Sequence, residues 1–168
     1  MGKGIRQTVT ALVAACAIVL VGAASAYAQA PKVLVFHGPP DATTDAGVAA
    51  IEAGGFDADA TADPAQIATA NLANYRSVVF LNTAGEHLDD TQEAALEDYV
   101  TGGGGFVGIG STAQGEPDSE FFTTLIGARP SGSSSTTASE QVVVAGDRVH
   151  PATRDLPLVW NRTDVWYQ

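Results

Sequence analysis

The chain has 168 residues, 45% hydrophobic and 16% charged, with 8 Lys+Arg against 19 Asp+Glu. That length bounds one domain rather than two, and the formal charge of −11 argues against a nucleic-acid or anionic-membrane partner, whose phosphates need a Lys/Arg surface. The single cysteine, Cys16, excludes an intramolecular disulfide framework and a cysteine-rich zinc site.

Residues 1–28 read as a secretory signal peptide. Lys3 and Arg6 make a short basic start, residues 11–21 are a dense apolar run, and Ala26-Tyr27-Ala28 is an A-x-A pattern predicting cleavage after Ala28. The alternative is an N-terminal membrane anchor, because a spanning helix needs about 20 apolar residues. Residues 13–16 resemble a lipobox, but the apolar core of a lipobox ends at its cysteine and here residues 17–21 continue it. Cleavage removes Lys3, Arg6 and Cys16. The secreted chain then has six basic residues against nineteen acids, a formal charge of −13, and no thiol chemistry.

Residues 32–36 (KVLVF) are a continuous apolar run, predicting a strand buried on both faces of a parallel sheet and ended by His37-Gly38-Pro39-Pro40. Residues 44–53 predict a short helix with Val48 and Ile51 on one face, stopped by Gly54-Gly55. Residues 56–61 alternate apolar and acidic, as an exposed edge strand does, and Asp63-Pro64 then opens a helical turn. A second buried strand follows over 77–81 (SVVFL). Asp90 and Glu93 have capping-box spacing for a helix whose apolar face carries Leu88, Ala95, Leu96, Tyr99 and Val100 and which Gly102 stops. Residues 106–109 predict a third buried strand, ended by Gly110-Ser111-Thr112. Strand and helix alternating at this spacing predict an α/β fold with a doubly wound, mostly parallel sheet. Beyond it come a helix at 120–126, a polar stretch at 131–139, a strand at 141–144 and an aromatic segment at 160–168 with no closing helix.

Ligands of open α/β sheets bind outside the carboxyl ends of the strands, at the switch in strand order. In a flavodoxin-like order this rule selects the loops after the three strands, and with them His37, Asn82, Thr83 and Ser111. Other chemistries fit less well. Residues 108–113 match G-x-G-x-x-A after a strand, but Gly115 and Pro117 interrupt the helix that a dinucleotide motif should open. Ser111 stands where a nucleophile would, with His150 as base and Asp155 or Asp164 as orienting acid, yet G-x-S-x-G spacing is absent. His37, His87 and His150 are too dispersed for a metal motif, the acids of 86–90 fit a helix start better than a calcium loop, and Asn161-Arg162-Thr163 is a glycosylation sequon. Neither a metal nor a cofactor is expected.

Residues 32–38 (KVLVFHG), 77–85 (SVVFLNTAG), 88–100 (LDDTQEAALEDYV), 102–110 (GGGGFVGIG), His150-Pro151 and 160–167 (WNRTDVWY) occur in the order seen in ThuA-like (trehalose-utilisation) domains, and residues 31–168 resemble that family. The resemblance implies a class I glutamine-amidotransferase-like, flavodoxin-like fold and a secreted role in sugar or disaccharide metabolism. His150, Asp164, Trp166 and Tyr167 retain the family pattern. The pattern residues suggest His150 and Asp164 as acid and base and Trp166 and Tyr167 against a sugar, which His37, Asn82 and Thr83, placed by topology at the strand ends, also contact. Three departures stand out. Gly110 replaces a histidine, Val165 replaces the acid of D-E-W-Y, and the amidotransferase cysteine is absent, so glutamine hydrolysis is not expected. Family domains also continue past this point, so the domain reads as incomplete at its C-terminus, with its last elements missing. An uncovered face should then be met by a protein partner or by self-association. The alternative function is a non-catalytic interaction or carbohydrate-binding module.

Overall fold

A computed structural model of the chain describes residues 29–129 and 137–166; the predicted signal peptide and Tyr167 lie outside them. Four strands, β1 (Lys32–His37), β2 (Asp57–Thr61), β3 (Ser77–Leu81) and β4 (Gly105–Ile109), form one parallel sheet in the order β2-β1-β3-β4. The switch in order falls between β1 and β3, where Val35 pairs with Val79 and His37 with Leu81. Among the described residues no helix is long and apolar enough to cross a membrane.

Period-two alternation sends successive side chains of β1 and β3 to opposite faces, so both faces need cover. Leu34, Phe36, Val78 and Phe80 meet Leu72 of α2 (Thr69–Leu72), Leu96 of α3 (Asp90–Thr101) and Phe122 of α4 (Glu120–Ile126). Val33, Val35, Val79 and Leu81 meet Val48 and Ile51 of α1 (Ala42–Ala53). Helices on both faces make the sheet doubly wound, as the strand–helix alternation predicts. Phe80 is the hub of the larger core, with ring centroids 5.0 Å from Phe36, 5.3 Å from Phe106 and 5.8 Å from Phe122. Its full burial contributes about 1.5–3 kcal/mol.

Acidic caps start the two long helices. The Asp41 carboxylate accepts the N–H groups of Thr43 and Thr44 at α1, which begins two residues earlier than its apolar pattern suggests. At α3 the capping box is Asp89 with Gln92, one residue before the Asp90 and Glu93 pair expected from spacing. Leu88, packed on the core just ahead of the helix, sets that register and puts Asp89 rather than Asp90 at the start. Asp63 caps a single 3-10 turn over Pro64–Gln66.

The third apolar run differs from expectation. β4 is not buried on both faces; it is an edge strand, with Val107 47% and Ile109 40% exposed. α1 covers only the β1 side of that face, which leaves a trough of about 290 Å³ lined by Val33, Ile51, Phe56, Val79, Val107 and Ile109. The two edges contrast in charge. β2 carries Asp57 and Asp59, with Lys32 Nζ 2.8 Å from Asp59, whereas residues 99–115 around β4 hold no charge. Charged residues are what normally protect an edge, and β4 lacks them.

The remaining strands, β5 (Ser139–Val144) and β6 (Val159–Asp164), form a separate antiparallel hairpin that pairs Ser139 with Asp164 and Val142 with Asn161. The open β4 face leads to a simple expectation. The chain should bind a hydrophobic dye or self-associate, and Val107→Lys should weaken either behaviour. A monomeric wild-type protein that is silent to dye in sedimentation and fluorescence measurements would contradict this account of the face.

Candidate functional site

The carboxyl ends of β1 and β3 approach closely. The Gly38 N–H donates to the Leu81 carbonyl at 3.1 Å, and a Cβ at Gly38 would collide with the Asn82 carbonyl oxygen, so glycine is required there. His37 ends β1 nearly buried, its Nδ1–H donating to the Gly38 carbonyl at 2.6 Å. His87, from the loop after β3, packs edge-on against Phe36 with centroids 5.8 Å apart and donates from Nε2 to the Ala84 carbonyl at 3.0 Å. Each imidazole thus uses one ring nitrogen on the backbone.

Asn82 has φ +54°, a left-handed conformation that asparagine tolerates better than most residues. Its N–H donates to the Ile109 carbonyl at 3.1 Å, and its Oδ1 accepts the Ser111 N–H at 3.3 Å. Gly110 is also left-handed, at φ +66°, and a Cβ there would run into Asn82 Oδ1. The Asn82 amide therefore fills the space into which a residue-110 side chain would project. Thr83 turns inward, fully buried, with its hydroxyl 3.1 Å from Thr112 Oγ1. It ties the ends of β3 and β4 together and does not line the cleft described next.

The hairpin closes the site from above. Asn82, Gly110 and Ser111 from the sheet and Arg162, Asp164, Val165 and Trp166 from the hairpin surround a cleft of about 450 Å³. Arg162 and Asp164 are two apart on β6 and so share a face. Asp164 Oδ2 accepts from Arg162 Nε at 2.7 Å and lies 2.6 Å from Nη2, while Oδ1 accepts the Val165 N–H at 2.8 Å. The Arg162 hydrogen bond and then the Val165 N–H hold the Asp164 carboxyl below the usual carboxylate range, so it is ionised at neutral pH. Trp166 donates Nε1–H to the Ser139 carbonyl at 2.9 Å, which fixes the indole and leaves its apolar faces for contact.

Four residues expected from the sequence thus meet in one place: Asn82, Ser111, Asp164 and Trp166. His150 does not join them. It is exposed on the loop between β5 and β6, where Nδ1 accepts the Ala152 N–H at 3.1 Å and the carbonyl caps the following turn. Sequence reasoning missed Arg162, although an opposite charge two residues from Asp164 on a strand was a readable signal. Among the described residues no group of His, Cys, Asp or Glu side chains is arranged to hold a metal.

A second missed residue is Glu116. It is 1% exposed with φ +42°, and its carboxyl accepts the backbone N–H groups of His87 at 3.1 Å and Leu88 at 3.4 Å. Its N–H donates to the Gly85 carbonyl, and its carbonyl accepts Arg129 Nη2 at 2.9 Å. The Glu86 carboxyl, which accepts the Asp118 N–H, also shares a hydrogen bond with Glu116. Burial first, then Glu86, push Glu116 up to about 7 from its ordinary 4.5. This buried acid latches the loop after β3 to the segment leading into α4.

Folded Glu116 keeps its proton to about pH 7, whereas the unfolded chain releases it near 4.5. The native state binds the extra proton across that window, so stability falls as pH rises through it and levels off above. Denaturant midpoints measured at about pH 5 and about pH 8 should therefore favour the lower pH, and Glu116→Gln should flatten the difference. Equal slopes in the two proteins would remove the latch from this account.

The family model described as ThuA, trehalose utilisation, matches residues 32–168. The fold is similar to that of a ThuA-like protein from Bacteroides uniformis ATCC 8492, with a TM-score of 0.68 and 22% identity, covering 88% of this chain and 65% of that one. The chain therefore spans 65% of the length of that relative. No curated protein matches the sequence.

Proposed function

This chain belongs to the ThuA (trehalose-utilisation) family, and on that premise we propose that it is a secreted domain that binds a sugar or sugar derivative in the cleft between the strand ends and the β5–β6 hairpin. The observation that carries the reading is the fixed indole of Trp166 beside the ionised Asp164 carboxylate, above Asn82 and Ser111. An aromatic face packs on the C–H face of a pyranose, while a carboxylate, an amide and a hydroxyl bond its hydroxyls. A volume of about 450 Å³ falls in the range of small-molecule sites. Asp164 accepts from ligand hydroxyls in this arrangement, and Ser111 supplies a hydroxyl that acts as donor or acceptor.

Calorimetric titration with trehalose and other neutral disaccharides tests this. Trp166→Ala should weaken binding by about tenfold or more, equivalent to about 1.4 kcal/mol, without a matching loss of stability. No heat with any of these sugars would overturn the carbohydrate reading.

One observation favours binding without turnover. At Gly110, where the family resemblance expects histidine, the chain has no side chain and the Asn82 amide fills its place. Restoring histidine alone would force Asn82 to move, so a restored centre requires Asn82 to change as well. Secretion is tested by intact mass. The protein recovered from culture medium should begin at Gln29; a cell-bound chain beginning at Met1 would favour the N-terminal anchor.

A further inference from the structure

Among the described residues the cleft lining carries one positively charged side chain, Arg162, and it is already engaged. Six basic residues follow position 28. Lys32 and Arg76 stand at the amino ends of β1 and β3, at the opposite end of the strands from the cleft. Arg129 gives its guanidinium to the Glu116 and Ser119 carbonyls. Arg148 and Arg154 belong to the loop between β5 and β6, where Arg148 bonds the Arg154 carbonyl and Arg154 pairs with Asp155 at 3.3 Å. Among the described residues, Arg162 alone brings positive charge to the cleft lining.

Both Nε and Nη2 of Arg162 are turned onto one oxygen of Asp164. That is the fork a phosphate or carboxylate ligand would use, and two parallel N–H donors are what make arginine a good anion receptor. The carboxylate that occupies it is tethered two residues away, so it competes at a high effective concentration. Its other oxygen is pinned by the Val165 N–H, which keeps it in place. The chain's formal charge of −11 adds a long-range field of the same sign. As an exposed ion pair, with side chains 61% and 43% accessible, it contributes little to stability.

We propose that Asp164 acts through Arg162 as a charge filter, so that the cleft selects uncharged polyols over phosphorylated or carboxylated sugars. The inference rests on the sugar-binding reading for its ligand, but the filter itself is a property of the pair. Asp164 is then a specificity-determining residue whose removal changes what binds rather than whether the protein folds. Asp164→Asn keeps an oxygen acceptor while releasing the guanidinium fork. Asp164→Glu retains the charge and should retain the filter.

The experiment compares wild type, Asp164→Asn and Asp164→Glu against trehalose, its 6-phosphate ester and inorganic phosphate. Calorimetry follows the sugars, and the Arg162 Nε–H resonance follows phosphate. Wild type should prefer the neutral sugar. Asp164→Asn should gain about five- to tenfold for the phosphate ester, the gain disappearing at high salt, and should respond to inorganic phosphate where wild type and Asp164→Glu do not. A wild type that prefers the phosphate ester overturns the filter and leaves the sugar reading standing. An Asp164→Asn protein with unchanged response to inorganic phosphate also overturns the filter. If neither sugar binds any variant but Asp164→Asn gains phosphate, the sugar reading fails and the filter stands as an anion gate.

Discussion

The interlock of Asn82 with Gly110 is the constraint on which the candidate site depends. Two neighbouring strands end in left-handed residues, and the side chain of one occupies the room that the Cβ of the other would need. Asn82 Oδ1 also holds the Ser111 N–H, so the β3 and β4 ends share one geometry rather than two independent turns. Beneath it, Thr83 and Thr112 satisfy each other, and Thr112 reaches the Phe80 carbonyl at 3.0 Å, which links the site to the aromatic hub of the core. The backbone of the cleft floor is therefore tied to the core beneath it.

The hairpin brings different chemistry to that floor. It contributes the cation, the anion and the aromatic surface, while the sheet contributes only uncharged polar groups. Division of this kind follows from how each element is built. Parallel strands buried between helices cannot carry charge without a large desolvation cost, whereas an exposed antiparallel pair can hold Arg162 and Asp164 on one face. The Glu116 latch is the exception among the buried groups, and it remains buried by keeping a proton and by accepting backbone N–H groups.

Much of the fold was legible because its signals are local. The KVLVF and SVVFL runs, the glycine stops and the acidic caps each act within a few residues, and the structure departs from them by one or two positions. β4 was misread as buried because FVGI looks the same whether or not a helix lies over it; burial depends on a distant element. The site was partly legible. Strand ends selected Asn82 and Ser111, and the DVWY segment selected Asp164 and Trp166, but nothing in spacing showed that these two groups would meet. Arg162 was overlooked because its meaning comes from the oxygen it engages. Glu116 was overlooked because a glutamate between Gly115 and Pro117 reads as a solvent-facing turn residue.

By itself the sequence determined the alternation of strand and helix, the parallel sheet and its switch point, the acidic charge and the family, because periodicity, capping and composition are written residue by residue. Tertiary structure alone decided which apolar face stays open, that His150 stands apart from the cleft, and that the Arg162–Asp164 pair lines the same cleft as Asn82. These outcomes depend on distant segments coming together, such as those of Asn82 and Asp164, which line one cleft from positions about eighty residues apart. No local preference encodes such an arrangement; it arises only from tertiary packing.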